Sequence, residues 1–394
     1  MVCVGLKQCY NREVKEVENL VIDIRSGSLG ASVISSIKGM TEVSFCTRKR
    51  TSLEKSFDPR RLIGQVAVEL KSFLLDIRSK KPHLRPRSIH LVISSPWFVS
   101  QTRSVVHKSN EVVTYSESII HKLFKEEEEE FRRVNFGDRE SQTIERELLA
   151  VTLNGYPTDK PYGKKAKEIG LSFYLSMVES EFLDIVRTTI RGVWHSDLVI
   201  HTFPFLTLNV LGEELSSMAD SYILLDIGGE VSELALVRNT STIESYSFPL
   251  GAHSIIREIG KTFKFSLFEA ESMYRAYILG QVDKKIGGQI EQVLEDTKVR
   301  WATYLHGMLE KIAMLRILPP TVVIIGSAET SKLLNDVMKD PEITKLFMNQ
   351  QVANVILPDT HILDGRISIR PGSGIVDIFL AIEVLAIDTL VQNS

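Results

Sequence analysis

The chain has 394 residues, 43% of them hydrophobic and 25% charged, with a formal net charge of −3. This is the composition of a globular protein of roughly two to three domains. The charge balance argues against nucleic-acid binding, and no apolar run is long enough to cross a bilayer. Cys3, Cys9 and Cys46 have no metal-ligand spacing and leave an odd count, so they read as reduced thiols of a cytoplasmic protein. The charged start of the chain (Lys7, Arg12, Glu13, Lys15) lacks the apolar core of a signal peptide.

Residues 21–34, VIDIRSGSLGASVI, read as strand, acid, small-residue turn and strand. Residues 62–77 carry apolar positions at helical spacing. The basic stretch 78–87 is broken by Pro82 and Pro86 and reads as a solvated loop. Residues 89–93 form a strand ending in Ser94-Ser95-Pro96. The pattern changes at Trp97. A strand at 101–107, a helix at 114–134, a strand at 148–154, a loop at 155–170 and a strand at 171–178 make a small α+β unit inserted in the first domain. The run Glu126 to Glu130 sits among lysines and arginines and reads as an exposed, ion-paired helix face.

A helix at 181–193, a strand at 197–202 and a helix at 206–218 lead to residues 221–238, SYILLDIGGEVSELALVR. These again read as strand, acid, tight turn and strand. A strand at 245–250, a helix at 251–263 and a helical region at 267–314 follow. The β-branched run 321–325 ends in Gly326-Ser327-Ala328 before a helix at 329–338, a layout that brings backbone close to a nucleotide. Residues 375–391 are apolar nearly all round, with acidic charges only. A membrane-surface helix needs basic residues, so this one is expected to be buried against the first domain's sheet.

The two strand–acid–turn–strand units lie at a constant offset. Asp23 pairs with Asp226, and the turn Arg25 to Gly27 pairs with Gly228 to Glu230. A repeat of this kind suggests two related domains facing each other across a cleft. Two carboxylates facing one space repel unless a cation lies between them, which points to a metal–phosphate ligand.

These pieces in this order resemble the phosphate-1, phosphate-2 and adenosine motifs of the actin-like ATPase superfamily, which includes actin, the heat-shock chaperones and sugar kinases. The insert is similar to the strand–helix–strand–strand (SHS2-like) subdomain of FtsA and PilM, bacterial actin relatives of cell division and type IV pilus assembly. The similarity rests on Leu153-Asn154-Gly155-Tyr156, Pro161-Tyr162-Gly163-Lys164, Pro249-Leu250-Gly251-Ala252 and Ala270-Glu271. It implies an α/β, actin-like (ribonuclease H-like) two-domain fold with a nucleotide cleft. Domain 1 would comprise residues 1–96 and 179–220, with the insert at 97–178. Domain 2 would span 221–374, and a helix at 375–394 would pack on domain 1.

The resemblance also implies roles. Asp23 and Asp226 would hold Mg2+ through water, and Asp226 would position the attacking water. Ser26, Gly27 and Ser28 would face the phosphates of ATP from one side, and Gly228, Gly229 and Ser232 from the other. Glu271 would approach the ribose, and Gly326 and Ser327 the adenosine. Turnover would be slow at best, with ATP acting as a switch in a cytoplasmic scaffold docked on an inner-membrane machine through a partner's peptide tail, with filaments or self-association as a further trait of the family.

The chain departs from the family at Arg25, where glycine is usual, and at Glu230 and Val231, where the phosphate-2 turn usually continues Gly-Thr. The family's lysine near Ser28 is missing. Glu230 beside a triphosphate leaves three options: it points away, it pairs with Arg25, or nucleotide binds weakly. A glutamate at this position and the lack of a basic amphipathic tail favour PilM, whereas the insert is more like that of FtsA. A scaffold that has lost nucleotide is the alternative. A sugar-kinase-like enzyme would need a carboxylate base over a small-molecule hydroxyl, and the chain offers no third acid at a matching turn.

Overall fold

The computed structural model describes residues 17–37, 40–56, 58–215, 220–238, 241–314, 316–348 and 350–392. Cys3, Cys9 and the end of the helix expected at 206–218 lie outside these, and Cys46 is a buried free thiol. Strands β1 (Val17–Ile24), β2 (Ser28–Ile37) and β3 (Met40–Arg50) form an antiparallel meander. Helix α1 (Pro59–Lys80) then crosses to β4 (Ser88–Ile93), which runs parallel to β1. Asp58 caps α1 by accepting from the Arg60 and Arg61 amides, and proline occupies its first turn. Arg78 and Lys80, expected in a loop, instead form the basic last turn of α1, where they complement the helix dipole.

The insert follows as β5 (Phe98–Thr114), α2 (Glu117–Phe136), β6 (Ser141–Leu153), β7 (Tyr156–Pro157) and β8 (Lys165–Glu179). Its sheet runs β5-β8-β6-β7, and α2 closes a core that includes Phe124, Phe131 and Phe173. The loop expected at 155–170 is half strand. Asn154 and Gly155 both have positive φ and join β6 to β7 in a two-residue hairpin, and β8 begins at Lys165.

The chain continues with α3 (Ser180–Arg191), β9 (Asp197–Thr202) and α4 (Phe203–Leu215), then β10 (Ser221–Ile227), β11 (Ser232–Arg238) and β12 (Ser241–Phe248). Next come α5 (His253–Phe263), α6 (Leu267–Ile278), α7 (Lys284–Ala313), β13 (Thr321–Ile325), α8 (Ala328–Val337) and α9 (Pro341–Thr344). The last elements are β14 (Asn354–Ile356), β15 (Ile367–Ile369) and α10 (Ile378–Gln392). The two large sheets are ordered β15-β3-β2-β1-β4-β9 and β12-β11-β10-β13-β14. Each is a three-stranded meander whose first strand pairs in parallel with the strand after a crossover, so the repeat extends beyond the hairpins. β15 returns from late in the chain to extend the first sheet alongside β3.

Strand alternation assigns each side chain to a layer. In β1, Leu20, Ile22 and Ile24 face α1 and α3, whereas Val21 faces inward. In β10, Ile223, Leu225 and Ile227 face α5 and α7, whereas Tyr222 and Leu224 face inward. Helices α4 and α10 fill the layer between the sheets. Every residue from Leu380 to Ile387 is buried, and α10 packs on α4, β1 and β2. Burying each of its larger apolar side chains contributes about 1.5–3 kcal/mol, which explains a helix that is apolar on all sides. Asp23 and Asp226 share the inward parity, so both acids reach the inner layer where β1 and β10 end.

Candidate functional site

The two hairpin turns close with the same bond. The Arg25 amide donates to the Ser28 carbonyl and the Gly228 amide to the Val231 carbonyl, each at 3.0 Å. The turns then meet. A Cβ on Gly229 would lie 2.5 Å from the Gly27 Cα, and one on Gly27 would lie 2.7 Å from the Gly229 Cα, so only glycine permits this approach. The Glu230 amide donates to Ser26 Oγ at 3.1 Å, crossing from one turn to the other. At the start of α5, the Ala252 and His253 amides donate to the Gly228 and Gly229 carbonyls at 3.0 and 2.8 Å. These amides hold the turn and do not point into the cleft as free donors.

Each aspartate is closed by an arginine. Asp23, Gly30 and Arg48 lie side by side across β1, β2 and β3. Because Gly30 has no side chain, the Arg48 guanidinium passes over it and places Nη1 2.7 Å from Asp23 Oδ2. Arg48 also donates from Nε to Asp377 Oδ2 at 2.5 Å and from Nη1 to Ser28 Oγ at 3.0 Å. Arg25 donates from Nη2 to Asp226 Oδ1, and its guanidinium lies over the Phe379 ring at 3.8 Å and the Phe203 ring at 4.6 Å. Arg25 is only 2% exposed. Burial pushes the Asp23 and Asp226 carboxyls up from the usual range, while Arg48 and Arg25 respectively pull them back.

Glu230 takes the first of the three options open to it. Arg257 grips it with two donors at 2.7 and 2.8 Å, and His253 Nδ1 lies 2.9 Å away. Burial raises the Glu230 carboxyl, but these bonds outweigh it and hold the group below the usual range. Arg25 goes to Asp226 and not to Glu230.

A cleft of about 360 Å³ opens above the turns. Gly27, Ser28, Gly228, Gly229, Gly326 and Ser327 line it, together with Arg25 and Phe379. Asp23, Ser26 and Asp226 are brought together but lie buried. Ser232 is turned away from the role expected of it: it is fully buried and donates to the Leu250 carbonyl at 2.7 Å. Ser327 caps α8. Glu271 is tied to Arg50 at 2.8 Å and Arg275 at 2.7 Å at the mouth of the cleft. The sequence reading missed Arg48, Arg257 and Phe379. The one available signal was Gly30, whose reason becomes visible only when β3 is set beside it.

These residues do not fit a water-ligated magnesium ion. Such an ion needs carboxylate oxygens turned toward it, whereas Asp226 Oδ1 accepts from Arg25 and Asp23 Oδ2 lies 2.7 Å from Arg48 Nη1, an ion pair that leaves neither Asp23 oxygen hydrogen-bonded. Among the described residues, no group of three His, Cys, Asp or Glu is placed to hold a metal. The row across the first sheet gives a direct expectation. Gly30→Ala would put a methyl 2.8 Å from Arg48 Nη2 and push the arginine off Asp23. A loss of about 2 kcal/mol in urea unfolding is expected, and an unchanged midpoint would mean that Gly30 does not serve this ion pair.

No protein-family model matches the chain, and no curated protein sequence does. A solved PilM–PilN type IV pilus biogenesis complex matches it in structure with a TM-score of 0.64 at 17% identity, over 95% of this chain and 98% of that one. The chain has the actin-like ATPase fold. The ethanolamine utilization protein EutJ of Carboxydothermus hydrogenoformans matches at a TM-score of 0.43 and 12% identity, over 86% and 84% of the two chains. A Bacteroides thetaiotaomicron protein with an actin-like ATPase fold matches at a TM-score of 0.40 and 10% identity, over 94% and 95%. Within this fold, the Asp23 and Asp226 hairpins occupy the two facing sheets.

Proposed function

We propose that this chain is an actin-fold scaffold of the PilM type, serving type IV pilus assembly from the cytoplasmic side of the inner membrane. The observation behind this reading is the end-to-end likeness to the PilM chain, which takes in both sheets and the insert. Among the described residues, no helix is long and apolar enough to cross a membrane. In this reading the chain is held in place by the tail of a membrane partner, and assembly into filaments is a further property to measure. Deleting the gene in its native host should abolish surface pili and leave division septa normally spaced. Long undivided cells with intact pili would assign the chain to division, the FtsA-type role.

A second reading keeps ATP as a conformational switch with slow turnover. It is favoured by the glycine- and serine-lined cleft, with Arg50 and Arg275 at its mouth. In that reading Gly27, Ser28, Gly228, Gly229, Gly326 and Ser327 contact the nucleotide, Glu271 lies toward the ribose, and Asp226 is the catalytic group once its arginine has been displaced.

A further inference from the structure

We infer that Arg25 is the resident cation of the Asp23–Asp226 pair, so that the carboxylate site takes no divalent metal and the two halves of the fold are latched by a side chain of the protein itself. This inference goes beyond the scaffold reading and does not depend on which machine the chain serves. It begins with position. Arg25 directly follows β1 of the first sheet, and Asp226 lies near the end of β10 in the second, so their bond crosses from one sheet to the other. The charge on Arg25 acts on both aspartates. A second arginine, Arg48, is ion-paired with Asp23, although neither Asp23 oxygen completes a hydrogen bond, and Arg48 is itself fixed by Asp377 and Ser28.

Arg25 also differs from an arginine that swings aside for a ligand. Its guanidinium lies over the rings of Phe379 and Phe203, and although Arg25 and Phe379 belong to the cleft lining, Arg25 is only 2% exposed. Removing it from that position would strip cation–π contact and expose a buried carboxylate together. The surrounding contacts close the same seam. Gly27 and Gly229 touch backbone to backbone, the Glu230 amide donates to Ser26 Oγ, and Ser95 Oγ donates to Glu233 Oε2 at 2.6 Å. A guanidinium carries its charge on planar N–H donors suited to carboxylate oxygens, whereas magnesium demands near-octahedral oxygen ligands and retained water. The same two acids do not serve both cations at once.

The test uses Mn2+ as a paramagnetic stand-in for magnesium, together with calorimetric titration of ATP in Mg2+ or in EDTA. For the full wild-type chain, the free-Mn2+ resonance signal should be undiminished by protein, and ATP should bind equally, or not at all, in both buffers. Arg25→Gly should free Asp226, bind Mn2+, and raise ATP affinity at least about tenfold in Mg2+ over EDTA. Wild-type protein that binds Mn2+ at micromolar levels, with the binding lost in Asp226→Asn, would overturn the inference. Arg25→Gly that folds yet gains no metal dependence would also overturn it. If Arg25→Gly does not fold, the wild-type Mn2+ measurement decides alone. Either result leaves the pilus phenotype as a separate test of the scaffold reading.

Discussion

Arg25→Ala is expected to destabilise the chain by about 3–5 kcal/mol, the range for removing one partner of a buried ion pair. The loss has two physical sources. Asp226 keeps its place in the inner layer, where it is 5% exposed, and no longer has its Arg25 donor. The rings of Phe379 and Phe203 lose the group that packs on their faces. The two sources can be separated. Arg25→Ala with Asp226→Asn removes the stranded charge and should recover a large part of the loss, giving a coupling of about 1–3 kcal/mol in a double-mutant cycle. Arg25→Met keeps the packing and strands the charge. Guanidinium unfolding measures all three. A single variant within about 1 kcal/mol of wild type would mean that the arginine does not hold the halves together.

Glu383→Leu is expected to do the opposite and stabilise the chain at neutral and higher pH by about 2–4 kcal/mol. Glu383 lies in the middle of α10 with no exposed surface, and neither carboxyl oxygen has a hydrogen-bond partner. Burial, reinforced by the nearby charge of Asp23, pushes its carboxyl well up, so the folded protein holds a proton there that the unfolded chain releases. The sign follows from that difference. Between the unfolded value near 4.5 and the raised folded value, the native state binds more protons, and stability falls as pH rises. Leucine has no such proton. The advantage of the variant should therefore grow by about 1.4 kcal/mol per pH unit across that window and shrink toward pH 4.5. Thermal melts at pH 5 and pH 8 read this directly. A constant difference between them would show that Glu383 is not the titrating group.

Much of this fold was legible because it repeats. The offset between Asp23 and Asp226 appears in the chain as spacing and in the structure as two sheets with matching strand order and matching turn bonds. The last helix was legible because residues 375–391 are apolar nearly all round, although it begins only at Ile378 and Ile375 is exposed. Local rules misled where a turn signal was passed over. Asn154-Gly155 is a two-residue hairpin, and treating it as the start of a long loop hid β7 and the first six residues of β8. β15 gave no local sign, since three residues carry little periodicity and its pairing with β3 spans most of the chain.

The site divides along the same line. The chain alone determined which acids share the inner layer, because alternation along a strand and the repeat offset are properties of sequence. It also marked Arg25 and Glu230 as departures. Only the tertiary structure decided their partners. Arg48 reaches Asp23 because register sets Gly30 between them. Arg25 meets Asp226 because two sheets more than 200 residues apart in sequence converge on one layer, while Glu230 turns to Arg257 and His253 on the following helix. Ion pairs are chosen by distance and desolvation in the folded chain, and neither quantity is written in the order of residues.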